Sequence, residues 1–264
     1  MTVTLMRTPL VVANWKMHKT GRDALAFVRE LEPLIKEITD VEIAVAPSFT
    51  ALPTAADAAT HTRLVLAAQD VHPEREGAFT GAISVAMIKD AGATAVIVGH
   101  SERRRLFGDT DELVNRKVRA ALAGEITPIV CIGETLEERE RGGTNAVLDG
   151  QIQHGLDGIS ADQIATLVIA YEPVWAIGTG KNATARECDD AHQHIRGRLR
   201  QWFGGIAADQ CRILYGGSVK PENAHEMIGL PDVDGALVGG ASLDVRGFFA
   251  IVSKCRSQAL GARP

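Results

Sequence analysis

Leu167-Val168-Ile169-Ala170-Tyr171-Glu172-Pro173-Val174-Trp175-Ala176-Ile177-Gly178-Thr179-Gly180-Lys181 runs from a short apolar strand into a single carboxylate and then a proline. Pro173 fixes φ and has no N–H for a ladder, so the strand should stop there. A bulky Val174-Trp175 step follows, then small residues and two glycines. This pattern predicts a stiff hinge, a mobile tip and a second hinge, a lid joined directly to a candidate base; such lids exclude water and commit a substrate. Taken alone, the segment reads equally as a strand-to-helix loop with a surface tryptophan.

Runs of the same kind recur along the chain: Leu10 to Ala13, Val41 to Val45, Leu64 to Ala67, Ala95 to Val98, Pro128 to Ile132, Cys211 to Leu214 and Gly235 to Val238. They are nearly continuously apolar, as expected of parallel strands buried on both faces. Helical patterns fill the gaps. After Thr20, read as an N-cap, Val28, Leu31, Ile35 and Ile38 share a face, with a kink or restart expected at Pro33. Leu113, Val114, Val118, Ala121 and Leu122 do the same and stop at Gly124. Ile195, Leu199, Trp202 and Phe203 mark a third helix, and Phe248, Phe249 and Val252 a fourth. Eight strand–helix units without a linker-like stretch predict an α/β fold, a single (β/α)8 barrel domain of eight parallel strands over residues 1–264. A doubly wound open sheet is the runner-up. It would carry a Gly-rich turn after an early strand, and the first strand here runs into Asn14-Trp15-Lys16.

Composition removes several classes. The 264 residues carry a net charge of −5 with scattered basic residues, so a nucleic-acid groove has no electrostatic support. No apolar run approaches the roughly 18 residues of a membrane span. Met1 to Arg7 lacks the apolar core of a signal peptide, which makes the cytoplasm the expected location. Cys131, Cys188, Cys211 and Cys255 are far apart and read as reduced thiols. His192 and His194 would point different ways on a helix. No metal is expected. Gly180-Lys181 lacks the flanking residues of a P-loop, and Arg103 stands where G-x-S-x-G needs its last glycine.

In a barrel of this type chemistry belongs at the carboxyl ends of the strands. Those ends carry Asn14 and Lys16, Gln69, His100-Ser101-Glu102, Glu134, Glu172, Gly216-Gly217-Ser218 and Gly239-Gly240. Lys16 could hold a phosphate and offset negative charge on an oxygen; alone it reads as a solvated lysine. Asn14 reads as a positioning amide or a turn former. His100 precedes a helix start, whose exposed N–H groups oppose positive charge and should lower the imidazole pKa. Glu102 is an ion-pair partner for Lys16 or a first-turn carboxylate. Glu172 is the base candidate, its pKa expected to rise when the lid excludes water. Each Gly-Gly turn can present N–H groups to an anion.

The blocks Ala13 to Met17, Val98 to Arg104, Ala170 to Gly180, Leu214 to Val219 and Val238 to Leu243, in this order, resemble the triosephosphate isomerase family from about Pro9 to Ala250. The resemblance implies interconversion of dihydroxyacetone phosphate and glyceraldehyde 3-phosphate through an enediolate, in glycolysis and gluconeogenesis, without cofactor or metal. It makes Glu172 the proton-shuttling base and Lys16 with neutral His100 the electrophiles. That family is itself the standard example of an imidazole kept neutral at a helix N-terminus. Asn14 assists, and N–H groups of Gly178, Ser218, Gly239 and Gly240 hold the phosphate. It also implies a homodimer built on the loop from Asp70 to Ser84, with Thr80 approaching the partner's Asn14 region. Two departures near this contact bear on dimer tightness: Ala82 stands where the family commonly has glutamate, which would leave Arg103 without an intersubunit partner, and Asp109 stands where a longer glutamate is common. A sister isomerase of a four-carbon ketose phosphate would use the same motifs. A catalytically retired sugar-phosphate-binding barrel would be marked by loss of the base, Lys or His, and none is missing.

Overall fold

Eight parallel strands follow one another around a closed barrel: β1 Leu10–Asn14, β2 Glu42–Ala46, β3 Val65–Ala68, β4 Ala95–Val98, β5 Thr127–Ile132, β6 Val168–Tyr171, β7 Arg212–Tyr215 and β8 Gly235–Val238, with β8 pairing back onto β1. The computed structural model describes residues 7–177 and 183–261. The helices are α1 Gly21–Ile35, α2 Leu52–Ala59, α3 Val85–Asp90, α4 Ser101–Phe107, α5 Asp111–Ala123, α6 Leu136–Glu140, α7 Thr144–Gly155, α8 Ala161–Ile164, α9 Ala185–Phe203, α10 Gly205–Gln210, α11 Ala224–Ile228 and α12 Val245–Gly261.

Two packed layers explain why the strands carry almost no polar residues. Leu10, Val12, Ile97, Ile129, Val168 and Leu237 fill the barrel interior. Their chain neighbours Val11, Ala13, Val96, Val130, Ile169 and Val238 face the helices in a second buried cluster. A fully buried aliphatic side chain contributes roughly 1.5–3 kcal/mol relative to an exposed one, so each strand is stabilised from both faces. At the barrel floor the Arg212 guanidinium meets the Glu42 carboxylate at 2.9 Å, joining β7 to β2.

The seam between first and last strands has its own chemistry. Leu10 pairs with Gly235, whose φ is +134°; a Cβ there would stand 1.9 Å from the Leu10 carbonyl oxygen. The residue before it, Asp234, accepts from Arg196 Nη2 at 2.7 Å, from Arg7 Nε at 2.5 Å and from the Ile213 N–H at 2.8 Å. A buried carboxylate satisfied by two cations and a backbone donor pins the start of β8 to β7, α9 and the segment before β1.

Local signals place the helices. Thr20 forms a capping box with Asp23 ahead of α1, and Thr184 does so with Glu187 ahead of α9. The restart expected at Pro33 does not occur. α1 runs unbroken to Ile35 and Pro33 lies in its last turn, where the lost N–H forfeits one bond near the helix end. Among the described residues, no helix is long and apolar enough to cross a membrane, and no group of three or more His, Cys, Asp or Glu side chains could hold a metal ion.

Candidate active site

Three strand ends bring the predicted chemistry together. Lys16, just beyond β1, has a left-handed backbone with φ of +51°, a conformation uncommon outside glycine. Its N–H donates to Asn14 Oδ1 at 3.0 Å and its carbonyl accepts from Gln69 Nε2 at 2.9 Å. The same Gln69 amide donates to the Ala46 carbonyl at 2.8 Å. Gripped on both sides, Lys16 sends its ammonium to Glu102 Oε1 at 2.7 Å.

His100 closes the turn after β4 and caps α4: its Nδ1 accepts the Glu102 N–H at 3.2 Å. That contact leaves Nε2 to face the interior, 2.9 Å from Glu172 Oε1. Glu172, at the end of β6, is 2% exposed, and its other oxygen accepts the Ser101 N–H at 2.8 Å. Gly133 makes this placement possible. A Cβ there would fall 1.7 Å from the Glu172 carbonyl oxygen.

The electrostatics differ from the sequence expectation. Burial alone would raise the Glu172 pKa, but His100, the Ser101 N–H and Lys16 more than offset it and hold the carboxyl below its usual value. For His100, burial opposes the charged ring, yet the adjacent Glu172 carboxylate outweighs it and raises the pKa. The helix-terminal N–H expected to lower it is in place, and the carboxylate at 2.9 Å overrides it. Cys131, fully buried on β5, also feels Glu172: burial first, then that carboxylate, pushes its thiol well above the ordinary range.

The expected anion-binding turns fall on the neighbouring strands. Gly239 and Gly240 follow β8, and a Cβ on Gly239 would lie 3.4 Å from Lys16 Cε, so that turn borders the ammonium arm. Ser218 lies beyond β7, its carbonyl held by Asn223 Nδ2 at 2.9 Å. The lid tip from Gly178 to Lys181, and with it the expected N–H donor Gly178, lies outside the described residues.

Glu134 is buried and accepts from the Tyr171 hydroxyl at 3.1 Å and from Trp175 Nε1 at 2.9 Å. These contacts bracket Glu172 in sequence. Gly133 escapes the sequence reading, and Cys131 reads only as a reduced thiol, because a glycine's space and a buried thiol's neighbours have no signature until the strands are arranged. Within the chain, the Arg103 guanidinium pairs with Asp70 at 2.9 Å and with Asp109 at 3.3 Å.

A closed barrel of eight parallel strands, with a carboxylate, an imidazole and an ammonium converging at their carboxyl ends, defines the class of (β/α)8 enzymes that act at that face. A family model described as triosephosphate isomerase matches residues 9–255. The chain belongs to the triosephosphate isomerase family. It is 56% identical over 247 residues to the triosephosphate isomerase of Citrifermentans bemidjiense, covering 94% of this chain and 98% of the relative. It is 54% identical to that of Carboxydothermus hydrogenoformans, at the same coverage. The solved triosephosphate isomerase of Bartonella henselae superposes with a TM-score of 0.86 at 38% identity, covering 94% of this chain and 99% of that one.

Proposed function

We propose that this chain is a triose-phosphate isomerase, interconverting dihydroxyacetone phosphate and D-glyceraldehyde 3-phosphate in glycolysis and gluconeogenesis. The observation that carries the reading is the buried Glu172 carboxylate within 2.9 Å of His100, with Lys16 anchored beside them by Glu102. Glu172 takes a proton from one substrate carbon and returns it to the next. To do so it exchanges the Ser101 N–H and His100 Nε2 for the substrate C–H. His100 then donates from Nε2 to the substrate oxygens, because Nδ1 is committed to the Glu102 N–H. Lys16 and Asn14 stabilise the enediolate oxygens, and Glu102 holds the lysine. Preorganised donors aimed at developing charge are commonly the largest catalytic term. Ser218 and the Gly239-Gly240 turn bind the phosphate, with Gly178 as a further donor, and the whole chain works as one domain.

The working form is a homodimer. Phe79 in the loop of residues 70–84 and Met17, next to Lys16, are exposed, and exposed apolar side chains suit a second copy. Thr80 approaches the partner's Asn14 region. The setting is the cytoplasm, in keeping with four buried free cysteines, which suit a reducing compartment.

The test is turnover of glyceraldehyde 3-phosphate by purified protein, coupled to reduction of the dihydroxyacetone phosphate formed, across protein concentrations. Glu172→Asp should lower kcat by roughly 10²–10⁴-fold, the range of a positioned acid–base group. Folded dimer with a rate equal to buffer would overturn the assignment. A higher kcat/KM on a four-carbon ketose phosphate would move it to the sister reaction.

A further inference from the structure

One guanidinium on α6 touches both sides of residues 178–182. Arg139 lies over the Trp175 ring, its Cζ 4.4 Å from the centroid, and places Nη1 3.5 Å from Glu134 Oε1. Its Nη2 pairs with Glu187. Trp175 sits in the single turn Val174–Ala176, three residues beyond Glu172. Glu187 is the carboxylate that receives the Thr184 N–H at 2.7 Å and the Thr184 hydroxyl at 2.9 Å, so it fixes the first residues of α9.

Charge gives the arginine a second task. Glu134 is fully buried, and its contacts from Tyr171 and Trp175 are neutral donors. Arg139 brings it a positive charge. Removing the half-buried cation beside a fully buried carboxylate leaves that carboxylate without its compensating charge, which is costly. Here the disturbed carboxylate is the one that holds Tyr171 and Trp175, the residues bracketing Glu172. A lysine could carry the charge, but it has neither the plane to stack nor the fork to serve two carboxylates.

We propose that Arg139 is a positioning residue for Glu172. It balances Glu134 and, by stacking on Trp175 while pairing with Glu187, holds the turn after Glu172 and the start of α9 in one arrangement. This rests on the reading of Glu172 as the base.

The test compares Arg139→Met, Arg139→Lys and the double variant Arg139→Met/Glu134→Gln in the full chain. It measures kcat and KM, thermal unfolding, and the fluorine resonance of Trp175 after 5-fluorotryptophan labelling, assigned with Trp175→Phe. Arg139→Met should lose about tenfold or more in kcat, near 1.4 kcal/mol or more in barrier, with KM little changed and the Trp175 resonance displaced. Arg139→Lys should recover only part. The double variant should regain part of the loss, because Glu134→Gln removes the buried charge and its amide oxygen can still accept from Tyr171 and Trp175, while the stack on Trp175 and the pairing with Glu187 stay absent. If Arg139→Met does not fold, Arg139→Lys decides: reduced kcat in a folded protein supports the proposal. A folded variant with unchanged kcat overturns it, as does a loss that Glu134→Gln does not relieve. An active wild type whose Glu172→Asp variant is equally active would instead locate the failure in the base assignment.

Discussion

His100 Nε2 stands 2.9 Å from Glu172 Oε1 while Nδ1 of the same ring accepts the Glu102 N–H. The ring is therefore held between a helix end and a carboxylate. This pairing makes a signed prediction for stability against pH. The Glu172 pKa is lowered from its ordinary 4.5; its contribution is present above 4.5 and is lost as pH falls through the folded value. The His100 pKa is raised from 6.5; its contribution is complete below 6.5 and is lost as pH rises through the folded value. Together they act fully between the two ordinary values, where the protonated ring gives up the Glu102 N–H that its Nδ1 accepts when neutral. Thermal melts of wild type and Glu172→Gln should therefore differ most in that window, with the gap shrinking on both sides. A constant gap across pH would refute the pairing.

Lys16 and Glu102 make a second prediction. Lys16→Met should cost roughly 10²–10³-fold in kcat/KM, as for removal of one preorganised electrostatic group. Glu102→Gln keeps the fold and a hydrogen bond but loses the charge that anchors the ammonium, so the loss should be smaller, about tenfold or 1.4 kcal/mol. Steady-state kinetics with both variants checks the order. Equal losses would mean that Glu102 does more than hold the lysine.

Gly133→Ala should be more damaging than its size suggests. The new methyl would stand 1.7 Å from the Glu172 carbonyl oxygen, and backbone rather than a flexible side chain has to move. Overpacking of this kind costs about 1–3 kcal/mol, occasionally more. Urea unfolding should show the loss, and residual folded protein should have reduced kcat because the displaced atom belongs to the base.

Lys117 is 3% exposed and meets Asp70 and Asp109 at 2.7 Å each. Lys117→Met leaves two largely buried carboxylates facing Arg103 alone and should cost about 3–5 kcal/mol, read by denaturant melts. Asp70→Asn removes one of the two carboxylates that meet both Lys117 and Arg103, and the same melts should show a smaller loss.

The eight strands were legible because burial on both faces demands continuous apolar runs, and each predicted run lies within two residues of its observed strand. Polar groups clustered at the carboxyl ends of those runs, so Lys16, His100 and Glu172 could be nominated together. No restart occurs at Pro33; the sequence pattern does not reveal how near a proline lies to a helix end. The direction of the His100 pKa was misread for a deeper reason. Chain order places the ring at a helix N-terminus, whereas the carboxylate that decides the balance arrives from β6, seventy-two residues later. Arg139 and Gly133 act through contacts between separate strand–helix units, and no local pattern announces them.

The pairing of Leu10 with Gly235 has a consequence for how the molecule is made. A ribosome delivers β1 first and β8 nearly last, so the first strand has one edge without its final neighbour for most of synthesis. An unpaired strand edge is a template for association with other chains, and incompletely assembled chains of this length are prone to aggregate. Asp234 and its two arginines can lock the barrel only when the last strand has emerged. A chain truncated before β8 should remain a client of chaperones, however well its first seven strands are packed.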